Sequence, residues 1–258
     1  MEVRPFGKFK KKLYKKYMQT TESSYDFYAS LGRIDEILNS NEIYDKSASI
    51  PSRETLTYQN GYYVNCSAIF IDICGSSDLT DDHERPVLAK IYRTFISESI
   101  AIMRSVGTVS EVGIQGDAVW GVYNTTTKDH VNELLTVMAR LESLIDVLNI
   151  KLSRKGYKTI QVGIGMDYGR ALMIKAGYRG SGINDVVWMG DVVNQACHLA
   201  SYGNSSAYDR TIMISHVIYN NLKEEYRKYF IINRTHGCYH ANLYNIQMNN
   251  WVQEQLKK

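Results

Sequence analysis

The sequence predicts an α+β protein built on a largely antiparallel sheet. Three observations carry this. From Tyr62 onward, stretches with strand-like composition interleave with stretches of helical periodicity. Several strand pairs are separated only by short glycine turns, at Gly116 and Gly169. Turns this short join antiparallel neighbours, whereas a doubly wound parallel sheet needs long crossovers. With 258 residues, 44% hydrophobic and 22% charged, the chain has the bulk for a sizeable core and the balance of a globular protein, which excludes wholesale disorder.

The elements follow in order. Residues 1–20 carry seven basic residues against the single acid Glu2. With Phe6, Phe9, Leu13, Tyr14 and Tyr17 among them, they read as a solvated helix face whose aromatics pack on a partner. The alternative is contact with a membrane surface or nucleic acid. Ser24 to Asn39 reads as a second helix, because Tyr28, Leu31, Ile34 and Leu38 recur at three- and four-residue steps. Residues 40–61 are polar, contain Pro51 and Gly61, and read as a linker. Residues 1–61 therefore form an N-terminal extension.

Tyr63 to Ile73 is a strand rich in β-branched and aromatic residues. Glu84 to Val106 is helical, with Val87, Ile91, Phe95, Ile96 and Ile100 on one face. Thr108 to Ile114 and Ala118 to Tyr123 flank Gln115-Gly116-Asp117, a hairpin signal. Asp129 to Lys155 is a long helix. Thr159 to Tyr168 and Ala171 to Ala176 are strands meeting at Gly169, and Arg179 to Asp185, with Gly180 and Gly182, is a loop. Asp191 to Tyr202 is helical. Strands at Thr211–Ser215, Tyr229–Asn233 and Asn242–Gln247, with a short helix near Ile218–Lys223, close a domain spanning 62–250, and 251–258 remain as a tail.

Several functional classes are disfavoured at once. A net charge of +3 is too small to mark a nucleic-acid binder. No apolar run reaches the roughly 18 residues of a membrane helix, and the N-terminus lacks the apolar stretch of a signal peptide. Cys66, Cys74, Cys197 and Cys238 form no CxxC pair, so neither a zinc ribbon nor a disulfide scaffold is indicated. The expected compartment is the cytoplasm, with reduced thiols.

Two acids stand out by position. Asp72 interrupts the apolar run Ala68-Ile69-Phe70-Ile71, and Asp117 sits in the hairpin turn. A carboxylate in an apolar strand is costly unless it is paired or holds a cation. Taken singly, each reads more simply as a solvated strand end and a turn residue. If the hairpin lies beside the first strand, however, both acids meet at one edge, and two carboxylates suit Mg²⁺ or Mn²⁺ bound together with a phosphate. The small-residue segment Cys74-Gly75-Ser76-Ser77-Asp78-Leu79-Thr80 follows directly, and its backbone N–H groups are candidates for an anion nest.

Phe70-Ile71-Asp72-Ile73-Cys74-Gly75-Ser76-Ser77 resembles the first metal motif of the class III nucleotidyl cyclases, and Gly116-Asp117 the second. Val162-Gly163-Ile164-Gly165 followed by Gly169-Arg170 is similar to the family strand pair whose arginine binds the triphosphate. Gly190-Asp191-Val192-Val193-Asn194-Gln195-Ala196-Cys197-His198-Leu199 is similar to the helix whose asparagine orients the ribose. The four motifs stand in family order over roughly 62–250. The resemblance implies a ferredoxin-like catalytic fold and a homodimer with shared active sites. Asp72, the Ile73 carbonyl, Asp117 and Arg170 would come from one chain and Asn194 from the other. Two Mg²⁺ or Mn²⁺ ions on Asp72, Ile73 and Asp117 would assist attack of the ribose 3′-oxygen on the α-phosphorus of a nucleoside triphosphate. Gly75, Ser76 and Ser77 would line the phosphates.

The sequence also departs from the family. Where purine cyclases carry a base-reading lysine, it has Gly113, and where they carry an aspartate or threonine, it has Val187. Polar readout is what rejects wrong bases strongly, so a pyrimidine is expected in place of ATP or GTP. His198 stands at the position of the transition-state arginine, and the alignment of the closing strand puts Cys238 at that of a lysine. These departures and the short upstream extension look like the bacterial pyrimidine cyclases of the Pycsar anti-phage systems, whose cyclic UMP or cyclic CMP activates a separate effector protein. The expectation is UTP before CTP. An adenylate or guanylate cyclase comes next, then a non-catalytic nucleotide-binding module.

Overall fold

The computed structural model describes residues 25–257 other than Ser181, and for Asp81 and Asp82 the backbone alone. The basic segment 1–20 lies outside the described residues. The chain divides into two compact units between Asn41 and Glu42. In the first, helix α1 (Phe27–Leu38) forms where the periodicity places it. Asp26 caps it by accepting a hydrogen bond from the Ala29 N–H at 2.9 Å, so one otherwise orphaned donor of the first turn is satisfied.

The second unit is a mixed sheet with helices. In chain order its elements are β1 (Ile43–Lys46), β2 (Asn60–Ile73), α2 (Ser76–Asp82), α3 (Arg85–Met103), β3 (Val109–Gln115), β4 (Ala118–Tyr123) and α4 (Lys128–Ser153). Then come β5 (Val162–Gly177), β6 (Asn184–Met189), α5 (Asp191–Tyr202), β7 (Ile212–Ile214), α6 (His216–Asn221), α7 (Glu224–Arg227), β8 (Ile231–Asn233), β9 (Cys238–Ala241) and α8 (Ile246–Leu256). The strand order is β3-β4-β2-β5-β7-β9-β8, with β1 added to β2 and β6 to β5. Among the described residues, only β1–β2 and β5–β7 pair in parallel. The predicted α+β class with a largely antiparallel sheet is what forms. Among the described residues no helix is long and apolar enough to cross a membrane.

Alternation along β2 assigns its two faces. Ile69, Ile71 and Ile73 join Phe95 and Met103 of α3 and Leu134, Met138 and Leu141 of α4 in the main core. Val64, Cys66, Ala68 and Phe70 point to the opposite face, where Val192, Ala196 and Ala200 of α5 cover them. That helix lies unusually close to β5. A Cβ on Gly163 would stand 1.9 Å from the Ala200 carbonyl oxygen, and one on Gly165 would stand 2.1 Å from that of Ala196. Only glycine permits this approach.

Four expectations are corrected. β5 runs unbroken through Gly169, which lies opposite Cys66 in the ladder instead of making a turn. The polar stretch 40–61 contributes β1, because its backbone pairs with the start of β2. The loop expected up to Asp185 gives way to β6 from Asn184, which folds back antiparallel on the end of β5. The strand expected at Asn242–Gln247 is absent. Pairing stops at Ala241, and Asn245 caps α8 by accepting from the Met248 N–H at 3.1 Å.

Two stability predictions follow from this packing. Gly165→Ala forces a methyl group into the α5 backbone and is expected to cost about 3 kcal/mol, the upper range for overpacking, read as a lowered thermal midpoint. The second concerns Glu142 of α4, which accepts the Leu243 N–H at 2.7 Å. Burial pushes its carboxyl up to about 7. A raised folded value means the protonated form is favoured in the fold. The associated stability is complete below the ordinary value of 4.5 and is lost as pH rises through about 7. Glu142→Gln should remove on the order of 3 kcal/mol of pH dependence in that window, measured by denaturant unfolding at a series of pH values.

Candidate active site

The site forms where β2 leaves the sheet. Asp72 pairs with Gly163 on one side. On the other, Ile71 pairs with Val119, so Asp72 comes level with the first residue of β4. The two-residue turn Gly116-Asp117 closes the β3–β4 hairpin at that same edge, with Gly116 at φ 64°, a value that favours glycine. The expected meeting of the two acids is therefore present. The Asp72 carboxyl is raised, first by burial and then by the negative charge of Asp117, and a hydrogen bond from the Ile73 N–H opposes the rise. Two partly buried carboxylates that repel each other form a donor set suited to a divalent cation, since the ion removes both penalties. Among the described residues no cluster of three or more His, Cys, Asp or Glu side chains forms a metal site. Further oxygen ligands would come from the main chain, as at Ile73, and from substrate.

Gly75 follows with φ 62° and turns the chain into α2, which begins at Ser76. Tyr92 of α3 packs its partly buried ring against the main core. Burial raises the Tyr92 hydroxyl, and the charges of Asp117 and Asp72 raise it further. The Cys74 thiol donates to the Gly203 carbonyl at 3.3 Å; burial raises it, and then Asp72. Cys197 on α5 is also raised by burial and then by Asp72. Helix α5 thus brings a thiol within electrostatic range of the carboxylates.

The sequence-predicted residues divide into two groups. Asp72, Ile73, Gly75, Ser76 and Asp117 come together, and Ser77 is exposed at the second position of α2. Arg170 does not join them within one chain. It lies seven residues along β5 from Gly163, about 23 Å at strand rise, exposed, with its guanidinium 5.2 Å over the Tyr63 ring. Asn194 and His198 are exposed one helical turn apart on α5, and Val187 is exposed on β6. Gly113 lies opposite Trp120, whose indole fills the space before it: a Cβ on Gly113 would fall 2.5 Å from the ring. Trp120 stacks on Phe70 with centroids 6.2 Å apart. Buried Trp188 donates from Nε1 to Glu111 at 2.8 Å. Sequence reasoning missed Tyr92, Cys197 and Trp120. Tyr92 falls among the apolar positions of α3 and carries no motif.

The fold and this paired-carboxylate edge define a class of protein. The model of the adenylate and guanylate cyclase catalytic domain matches residues 58–238, and the chain belongs to that family, the class III nucleotidyl cyclases. Among its relatives are a uridylate cyclase of Gulbenkiania mobilis, 38% identical over 92% of this chain and 99% of the relative, and a uridylate cyclase of Treponema porcinum, 35% identical over 78% and 70%. Among solved structures, a class III adenylyl cyclase-like ATP-binding protein from Pseudomonas aeruginosa has a TM-score of 0.63 at 16% identity, covering 88% of this chain and 48% of that one. The adenylyl cyclase CyaB from the same organism has a TM-score of 0.56 at 19% identity, covering 66% and 84%. These structural likenesses show the shared fold.

The raised Asp72 carboxyl makes cation binding compete with a proton. Calorimetric Mn²⁺ affinity is expected to increase as pH rises and Asp72 ionises. Asp72→Asn should flatten that dependence, and Asp117→Asn should weaken binding by about tenfold or more, the effect of one lost charged ligand.

Proposed function

We propose that this nucleotidyl cyclase converts UTP to 3′,5′-cyclic UMP and diphosphate. The observation that carries the chemistry is the convergence of Asp72 and Asp117 at one edge of the sheet. Two ions, Mg²⁺ or Mn²⁺, held by these carboxylates and the Ile73 carbonyl would neutralise polyphosphate charge and favour loss of the 3′-hydroxyl proton. The 3′-oxygen then bonds to the α-phosphorus, the bond from that phosphorus to the bridging oxygen breaks, and diphosphate leaves with the electron pair. The chain's own part is positioning and electrostatics. Gly75, Ser76 and Ser77 border the phosphates, and exposed Arg170 offers a forked guanidinium to phosphate oxygens. Asn194 and His198 act from the second chain of a homodimer, Asn194 on the ribose.

Support for a pyrimidine comes from two directions. The relatives matched over most of the chain are uridylate cyclases. The Trp120 indole occupies the space into which a side chain at Gly113 would project, and Val187 brings no polar group. A narrowed, apolar wall favours the smaller base and withholds the hydrogen bonds that would select a purine. By the same resemblance, the product is read as a second messenger of anti-phage defence that acts on a separate effector.

The test is turnover of each of the four nucleoside triphosphates with Mn²⁺. UTP should give cyclic UMP fastest, and Asp72→Ala or Asp117→Ala should lower the rate about a thousandfold, the effect of several kcal/mol. CTP as the best substrate would move the assignment to cyclic CMP. Efficient cyclic AMP formation would overturn the pyrimidine reading, and undiminished turnover by Asp72→Ala would overturn the site.

A further inference from the structure

We propose that His236 is a positioning residue for this reaction: held by Asp209, its ring stacks on Tyr202 and sets the exposed face of α5 that carries Asn194 and His198. The inference rests on the cyclase reading above, with its shared sites, and adds a residue to it.

Asn194, His198 and Tyr202 recur at four-residue steps and so form one row along α5. The buried side of the helix is seated on the sheet through Val192, Ala196 and Ala200. The row on the other side has a restraint of its own at Tyr202, its C-terminal end. The His236 ring lies against the Tyr202 ring with centroids 4.2 Å apart and planes within 14°. His236 stands in the turn between β8 and β9, just before Gly237 at φ 62°. Asp209 holds it there. His236 Nε2 lies 3.4 Å from Asp209 Oδ2, and the His236 backbone N–H donates to Asn233 Oδ1 at 3.2 Å. Asn233 donates in turn from Nδ2 to Asp209 Oδ1 at 2.7 Å. The hydroxyls of Ser205 and Ser206 donate to Asp209 Oδ2 at 2.9 and 2.6 Å. These serines lie just past the end of α5, so the contacts close a ring that runs from Tyr202 through the chain to Asp209, then to His236 and back to Tyr202. A closed ring leaves the end of α5 little freedom to rotate or slide. Its members come from α5, the segment after it and the β8–β9 hairpin, whereas Asp72 and Asp117 stand on β2 and in the β3–β4 turn. The ring therefore acts on what α5 shows to a second chain, not on the chain's own carboxylates.

The experiment measures UTP turnover by His236→Ala and His236→Phe, alone and in mixed dimers. Because a small misplacement of an orienting group slows the chemical step, His236→Ala should lower kcat about 10- to 100-fold, with KM and calorimetric Mn²⁺ affinity within about twofold of wild type. His236→Phe, which keeps a flat ring against Tyr202, should recover part of the loss. In a mixed dimer of His236→Ala with Asp72→Ala, one site takes its carboxylates from the first chain and its α5 from the second, so both halves of that site are intact. Mixing should therefore raise the rate at least about twofold above either variant alone. Asn194→Ala mixed with Asp72→Ala is the control and should behave alike. A rise in the control without a rise in the His236 mixture would overturn the inference, because the defect would then lie in the chain's own carboxylate half or in its folding. An unchanged kcat in His236→Ala, or a KM raised as much as kcat falls, would overturn it too. Should His236→Ala fail to fold, His236→Gln, which also removes the stacked ring, takes its place with the same expected and contrary results. No rise in either mixture would refute the shared-site reading and the inference with it. A wild type that turns over no nucleoside triphosphate would instead refute the cyclase reading, whatever the variants do.

Discussion

Everything in the second unit depends on holding two mutually repelling carboxylates at the end of an apolar strand. Burial and the charge of Asp117 both disfavour the ionised form of Asp72, and the Ile73 N–H alone opposes them. The arrangement survives because the strand beneath it is fixed. Ala68, Ile69, Phe70 and Ile71 are buried in alternation between two cores. A slip of one residue would carry every side chain to the wrong face. The same register that buries Ile71 against α3 and α4 therefore aims Asp72 toward α5. Core packing offsets the electrostatic cost, and a cation relieves it.

The second constraint is steric. The carbonyl oxygens of Ala196 and Ala200 occupy the space where side chains at Gly165 and Gly163 would stand. This close seat fixes the height of α5 above the sheet. It brings Cys197 near Asp72 and leaves Asn194 and His198 on the exposed side of the helix. Asn194 is thereby exposed, which the proposed role on a second chain requires. Arg170, exposed far along β5 from its own carboxylates, fits a site assembled from more than one surface.

Much of this was legible from residue types, and the misses have physical causes. Asp72 showed itself because a charge in an apolar strand demands an explanation, and Asp117 because Gly116 marks a turn. Gly169 misled: a glycine between two strand-like runs signals a turn, but here the ladder to β2 continues through it, with Gly169 opposite Cys66, a pairing no local pattern encodes. The C-terminal strand was misplaced because Asn242 to Gln247 has mixed composition, while the deciding feature is the Asn245 cap. Trp120 was out of reach for a different reason. Gly113 announces an absent side chain, but only the cross-strand register shows which neighbour fills the gap.

A crystal structure of the protein with Mn²⁺ and a non-hydrolysable UTP analogue addresses the central claim most directly, through the anomalous signal of the ion. The account predicts manganese density bridging Asp72 and Asp117, with oxygens of both at roughly 2.0–2.3 Å, and the polyphosphate against the same ions. Manganese bound elsewhere, or touching one carboxylate while the other turns to solvent, would contradict it.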